Sequence, residues 1–150
     1  MDDLQKVLAL QEIQQVKARR CRCVDLKDWA GYIDCHTPDA VSYALSSPTV
    51  GAEAMARQLE AQIGGKTTVH HVHSPEIEFT SDTTAKGIWA MEDMLWWEEN
   101  GQKYWTHGYG HYYETYENRD GRWLISSRKL ERIRVDTGRA GEPDLMRAAR

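Results

Sequence analysis

Two turn signals in the second half of the sequence constrain the fold more than any other feature. Asn100-Gly101 and Asp120-Gly121 are each typical of a two-residue β-hairpin, since both residues of such a turn take positive φ angles. The runs that flank them are rich in Trp, Tyr, Ile, Val and Thr and show no helical period. Four long antiparallel strands are therefore predicted, over residues 66–80, 83–97, 103–117 and 122–135.

The first half of the sequence predicts three helices and one short strand. Apolar residues recur at spacings of three and four over residues 3–24, which predicts an amphipathic helix. A shorter helix is predicted at 28–36, with Asp28 as its cap, and a third at 51–63, which is rich in strong helix formers. The short strand is predicted at 40–45.

This order of elements predicts an α+β fold. Three N-terminal helices packed on a long, curved antiparallel sheet make a cone, or open barrel, that encloses a cavity for a ligand. The domain is predicted to span residues 1–135. The C-terminal tail, 136–150, is predicted to be mobile or to pack over the cavity or a neighbouring subunit, with a short helix from Pro143.

Composition excludes several classes of protein. The chain has 150 residues, the size of one domain, and a net charge of -4, which argues against a nucleic-acid partner. It has no apolar run of the roughly 18 residues that a membrane span needs, and no secretory signal is predicted. The odd number of cysteines favours a reduced, cytoplasmic setting; these are Cys21, Cys23 and Cys35.

The densest group of titratable side chains is His70, His71 and His73. With Gly65 and Glu78, two of these histidines match the spacing of the first metal motif of cupins, and alternate residues of a strand share a face, as a metal site needs. The second cupin motif is absent from the sequence, and a helical first half is atypical of cupins. No metal is therefore predicted.

The other functional interpretation makes one of the histidines a general base or acid. Such a histidine needs a carboxylate to hold its tautomer. Asp25 is the candidate, because it lies where the first helix should meet the sheet. The residues alone leave open which histidine is used, and a polar strand without a chemical role is a further alternative.

Basic side chains cluster in two places. Those of the first helix are predicted to form a solvated face; they are Lys17, Arg19, Arg20 and Arg22. Those of the last strand alternate, so that some must face inward; they are Arg128, Lys129, Arg132 and Arg134. A buried arginine needs a carboxylate partner, for which Glu92 and Asp93 are the candidates.

Four stretches in order resemble a known family. Residues 22–25, 70–77, 84–93 and 116–123 resemble the SnoaL-like branch of the nuclear transport factor 2 superfamily. Within it the resemblance is closest to bile acid 7α-dehydratases and more distant to scytalone dehydratases and hexachlorocyclohexane dehydrochlorinases. It spans nearly the whole chain up to residue 135 and implies the cone fold, no cofactor, a small apolar cyclic ligand and a homo-oligomer, either a dimer or a trimer.

The resemblance also implies residue roles. Asp25 and His70 match a catalytic dyad, and Asp93 and Arg132 fall on polar cavity positions. Tyr43 lies one residue from a cavity tyrosine that polarises the substrate oxygen. His73 is the alternative base should it face the aspartate instead.

One position departs from the pattern. Arg20 stands where the bile acid enzyme has a catalytic tyrosine, five residues before the aspartate. Assistance to the leaving group would then come from Tyr43, His111 or Arg20 itself. His70 and Ile77 have opposite parity, so a bulge near Ser74-Pro75 is predicted to bring both to the cavity face.

The sequence therefore predicts a dehydratase-like lyase or an isomerase that uses no cofactor and transfers protons through histidine and aspartate. The alternative is a binding module or subunit on the same fold, without turnover.

Overall fold

The computed structural model describes residues 1–44 and 47–140 as an α+β fold. The helices are α1 Asp3–Leu26, α2 Trp29–Asp34 and α3 Ala52–Ile63. The strands are β1 His36–Ser42, β2 Thr49–Val50, β3 Thr67–Phe79, β4 Thr84–Glu99, β5 Gln102–Arg119 and β6 Arg122–Arg139. The predicted order of elements is confirmed, and the structure adds the two-residue strand β2.

The six strands form one curved, open sheet in the order β2-β1-β6-β5-β4-β3. The four long strands are antiparallel to one another, whereas β1 joins the sheet parallel to β6. The turn residues have the φ angles of a tight hairpin: 51° and 75° at Asn100 and Gly101, and 54° and 81° at Asp120 and Gly121. Both predicted hairpins are therefore confirmed.

A bulge in β3 sets which side chains face the helices. Val72 pairs with Met91, but Pro75 pairs with Trp89, so that β3 uses one residue more than β4 over this stretch. The predicted bulge is thus present. We call the side of the sheet on which α1 packs the inner face, and the opposite side the outer face. Because of the bulge, His70 and Ile77 both lie on the inner face.

The helices cover the inner face with apolar side chains. α1 starts at a capping box formed by Asp2 and Gln5 and ends at Lys27, whose φ of 59° is left-handed. Its buried stripe packs on the aromatic residues of the sheet; the members of this core include Ala9, Ile13, Val16, Trp89, Tyr112, Tyr116 and Trp123. A second core joins α2 and α3; it includes Tyr32, Met55 and Ala56.

Two strand boundaries differ from the prediction. β1 begins at His36 rather than at residue 40. Pro38 lacks a backbone N–H, but the pairing of β1 with β6 is irregular between His36 and Val41, so the strand can include this proline. β6 runs to Arg139, into the predicted tail. Residues 141–150, with the short helix predicted from Pro143, lie outside the described residues. None of the helices in the described part of the chain is long and apolar enough to cross a membrane.

Candidate active site

The last turn of α1 and the middle of β3 bring Asp25 and His70 together. The ring Nδ1 of His70 lies 2.6 Å from Asp25 Oδ1, and the backbone N–H of His70 donates to Asp25 Oδ2 at 2.9 Å. The predicted contact, between residues 45 positions apart in sequence, is therefore present. Both side chains are largely buried, with 9% exposed for His70 and 22% for Asp25.

Thr68 adds a third hydrogen bond to this carboxylate. Its hydroxyl donates to Asp25 Oδ1 at 2.9 Å, and Lys27 Nζ donates to that hydroxyl at 2.8 Å. Sequence reasoning missed Thr68, although it lies two residues before His70 and therefore on the same face of the strand. The contact continues the polar network from the helix end into β3.

These contacts keep Asp25 ionised and select the tautomer of a neutral His70. Burial alone would raise the pKa of Asp25, but the hydrogen bonds from His70 and Thr68 outweigh it and hold that pKa below its usual value. The ionised carboxylate accepts the proton on Nδ1, so a neutral His70 carries its lone pair on Nε2. That nitrogen makes no hydrogen bond to any residue that the structure describes.

Asp93 and Arg132 form a bidentate salt bridge next to the dyad. Arg132 Nη1 and Nη2 each lie 2.7 Å from an oxygen of Asp93, which is directly opposite His70 in the β3–β4 pairing. Asp93 is 3% exposed, whereas the Arg132 side chain is 36% exposed. The expectation that Asp93 partners an inward arginine is confirmed.

Gly108 makes room for this pair. It is the β5 residue paired with Asp93, and a Cβ at this position would overlap the side chains of both Asp93 and Arg132. A residue without a side chain is therefore required where the ion pair crosses β5.

Two basic residues of α1 that were predicted to be solvated are buried. Lys17 is 0% and Arg20 2% exposed. Lys17 Nζ donates to Glu114 Oε1 at 2.6 Å, and the hydroxyl of Tyr116 donates to the other oxygen at 2.5 Å. Burial lowers the pKa of Lys17 to about 8 even though Glu114 opposes this. The prediction of a solvated face holds on this helix for Arg22, which is exposed.

Three predicted site residues lie on the outer face, so the prediction that they share a pocket with the dyad is wrong. Tyr43 is 48% exposed and lines a groove of about 570 Å³ together with Tyr113 and Lys129. His111 pairs with Ala90, one step out of phase with the inner-face residues. His73 lies within the bulged stretch between Val72 and Pro75, and its side chain is near Glu92 rather than Asp25. Successive side chains of a strand point to opposite faces, so for Tyr43 a sequence match offset by one residue predicts the wrong face.

The outer-face histidines instead surround Glu92. His71 Nδ1 and His73 Nε2 are each 3.7 Å from Glu92 Oε1, and His107 Nε2 is 2.9 Å from Oε2. The hydrogen bond from His107 is the main cause of a lowered pKa at Glu92. Across residues 1–44 and 47–140, no group of three or more histidine, cysteine or acidic side chains has the geometry to hold a metal ion.

Comparisons with known proteins agree with this architecture. The SnoaL-like domain family matches residues 5–129. The crystal structure of a hexachlorocyclohexane dehydrochlorinase, LinA type 2, superposes with a TM-score of 0.82 at 20% identity, covering 95% of this chain and 99% of that one. A candidate scytalone dehydratase from Novosphingobium aromaticivorans gives a TM-score of 0.80 at 20% identity, covering 96% and 100%.

A third structure comes from a protein of unknown function, Rv3472 from Mycobacterium tuberculosis. It gives a TM-score of 0.75 at 21% identity and covers 89% of this chain and 77% of that one. These TM-scores establish the fold, which is that of the nuclear transport factor 2-like cone, whereas identities this low show nothing beyond the fold. The finer resemblance to bile acid 7α-dehydratases is not shown by these matches and stays a prediction.

Proposed function

This chain belongs to the SnoaL-like domain family, and we propose that it is a cofactor-independent lyase or isomerase acting on a small apolar cyclic ligand. The observation that carries the proposal is the dyad: Asp25 lies 2.6 Å from His70 Nδ1, which leaves Nε2 as a base directed away from the carboxylate. The dehydrochlorinase and scytalone dehydratase folds among its structural neighbours are consistent with this class of reaction.

The chemistry starts with proton abstraction. His70 Nε2 takes a proton from a carbon next to a carbonyl group, and the C–H electron pair moves into an enolate. Asp25 stabilises the imidazolium that forms, as a neighbouring carboxylate does. Arg132, which is paired with Asp93 opposite His70 in the sheet, stabilises the enolate oxygen.

The enolate can then lose a leaving group. In a dehydration the enolate pair forms the new C=C bond, the C–O bond breaks, and the imidazolium proton leaves with the hydroxyl as water. In an isomerisation the same proton returns to another carbon. Of the three residues predicted to assist the leaving group, Tyr43 and His111 lie on the outer face and Arg20 keeps its proton, so none of them is the acid in this proposal.

Turnover of simple probes tests the proposal. Cyclic β-hydroxyketones give conjugated enones on dehydration, which ultraviolet absorbance follows directly, and solvent deuterium entering the α-carbon reports proton abstraction without elimination. Wild type should perform at least one of these reactions, and His70→Ala neither. Binding of the probes without deuterium entry would favour the alternative, a binding module without turnover.

We also propose a homo-oligomer, a dimer or a trimer. Large apolar side chains are exposed on the outer face, among them Tyr113 at 40% and Trp96 at 42%. Light scattering coupled to gel filtration measures the mass directly. A monomer at micromolar concentration would contradict this proposal and leave the dyad chemistry untouched.

A further inference from the structure

Three cations converge on the ring of Tyr112 in the interior. Lys17 Nζ lies 3.7 Å from the ring centroid, and the Cζ atoms of Arg20 and Arg128 lie 5.6 Å and 5.0 Å from it. Lys17 and Arg20 reach the ring from one face of α1, whereas Arg128 reaches it from β6. Arg20 is 2% and Arg128 8% exposed.

Among the described residues, Glu114 alone has a carboxylate that is hydrogen-bonded within this group. Glu114 accepts hydrogen bonds from Lys17 and Tyr116, and these occupy both of its oxygens. Neither arginine donates a hydrogen bond to any side chain in the described part of the sequence. Three positive charges against one negative charge leave an excess of two, in a region from which water is largely excluded.

The unused donors are specific atoms. Nε and Nη1 of Arg20 and Nε of Arg128 are buried and have no partner among residues 1–44 and 47–140. The ring centroid of Tyr32 is 5.3 Å from Arg20 Cζ, so these two side chains meet through the ring, and no hydrogen bond joins them. Leaving charged donors buried and unpaired is strongly unfavourable, so a partner for them is expected.

His36 adds no further charge to this group. It is 4% exposed, and its Nδ1 lies 2.7 Å from the backbone oxygen of Tyr32. Burial, reinforced by Arg20 and Arg128, lowers the pKa of His36 to about 3, so the ring is neutral at neutral pH. The excess positive charge therefore calls for an anion that the described residues do not supply.

We propose that Arg20 and Arg128 bind a carboxylate group of the ligand beside Tyr112. A planar carboxylate with one negative charge matches the planar fork of guanidinium, and two guanidinium groups can share its two oxygens. The aromatic rings of Tyr32 and Tyr112 suit an apolar body attached to that carboxylate. The inference rests on the proposed function only in identifying this ligand with the substrate.

The position of Arg20 relative to the dyad restricts the ligand further. Arg20 precedes Asp25 by five residues, which is about 8 Å along the helix axis. A carboxylate held at Arg20 would therefore be remote from the carbon that faces His70 rather than adjacent to it. The substrate class implied is a cyclic carboxylic acid whose acid group is remote from the reacting carbon.

Calorimetric titration with a matched pair of probes tests the carboxylate site. The probes are 2-naphthoate and its neutral isostere 2-naphthamide. Wild type should bind the naphthoate about 10- to 100-fold more tightly, the range expected for one charge-assisted hydrogen bond. Arg20→Gln and Arg128→Gln should each remove most of this preference, and Arg20→Lys should keep only part of it.

Arg22→Gln is the control, since Arg22 is an exposed arginine on the same helix. It should bind both probes as wild type does. Equal affinities for the two probes in wild type, or a full naphthoate preference in folded Arg20→Gln and Arg128→Gln proteins, would overturn the proposal. Circular dichroism of each variant establishes that it is folded.

The same titration separates this site from the dyad chemistry. Asp25→Asn and His70→Ala proteins should keep the naphthoate preference, because neither residue contacts the arginines. If they keep it while no probe is turned over by wild type, the carboxylate site stands and the lyase proposal fails. If wild type turns over neutral probes but shows no naphthoate preference, the lyase proposal stands and the carboxylate site is contradicted.

Discussion

Asp25 holds His70 at two points, since one carboxylate oxygen accepts a hydrogen bond from the ring Nδ1 and the other accepts one from the backbone N–H of the same residue. The backbone bond fixes the strand against the end of α1, and the ring bond fixes the tautomer. Position and protonation of the histidine therefore depend on the same carboxylate.

The first prediction concerns this unit. Asp25→Asn and His70→Ala should each abolish turnover, because the asparagine does not hold the tautomer and the alanine removes the base. Residues that act as a unit have non-additive effects, so the double variant should be little worse than either single variant. Rates of enone formation measure this.

His71→Ala and His73→Ala are the matched controls, because they remove neighbouring imidazoles from the outer face. They should retain most of the activity. Loss of activity in His73→Ala with retention in His70→Ala would move the base to His73.

The second prediction concerns Gly108. Gly108→Ala should lower the free energy of unfolding by about 1–3 kcal/mol, because the new methyl group forces Asp93 and Arg132 apart. Gly65→Ala is the control, since a Cβ there meets nothing within 4 Å, and it should change stability by less than about 0.5 kcal/mol. Urea denaturation measures both variants. If Gly108→Ala were as stable as Gly65→Ala, Asp93 and Arg132 would be able to move apart without loss of stability.

The third prediction uses the imbalance of charge around Glu114. Glu114→Gln should cost about 3–5 kcal/mol of unfolding free energy, because it leaves three buried cations without the carboxylate. Lys17→Met should cost less by about 2 kcal/mol or more, since it removes one of the excess charges and fills similar space. Chemical denaturation of both variants checks the order, and a larger loss for Lys17→Met would contradict this account.

The fourth prediction is a pH dependence due to His36. Its pKa is about 3 in the folded protein and near 6.5 when unfolded, so between these values only the unfolded chain binds the proton. Stability should therefore fall as the pH drops through this window, by about 2 kcal/mol between pH 7 and pH 5. His36→Gln removes the group.

Unfolding free energies of wild type and His36→Gln at both pH values isolate this contribution, because all other titrating groups are shared. Between pH 7 and pH 5, the unfolding free energy of wild type should fall by this same amount relative to that of His36→Gln. A constant difference would show that His36 titrates alike in both states.

The fifth prediction concerns metal. His71, His73 and His107 already lie near the Glu92 carboxylate, and removal of divalent ions should leave the melting temperature unchanged. Dialysis against a chelator followed by a thermal scan measures this. A drop of many degrees that zinc restores, and that His71→Ala abolishes, would establish a metal site on the outer face.

The order of elements followed from local signals in the sequence. The Asn100-Gly101 and Asp120-Gly121 turns need positive φ at both residues, and this requirement is visible in the residue types themselves. The bulge in β3 was likewise predictable, because Pro75 cannot donate to the ladder and the family resemblance required His70 and Ile77, which have opposite parity, to share a face. Turns and bulges depend mainly on residues that are close in sequence, so they can be predicted before the tertiary structure is known.

The site itself needed the tertiary structure. Local pattern could not choose among His70, His71 and His73; the family resemblance named His70, and the contact with Asp25 follows from where α1 ends against β3. The sequence did not show that Arg20 is buried and Arg22 exposed. This difference follows from the packing of α1 on the sheet, which brings Arg20 next to the ring of Tyr112. Contacts between residues distant in sequence depend on how whole elements pack and on strand register, and a register shift of one residue moves a side chain to the opposite face. The amino-acid sequence thus determined the elements and the available chemistry, whereas packing decided which groups meet.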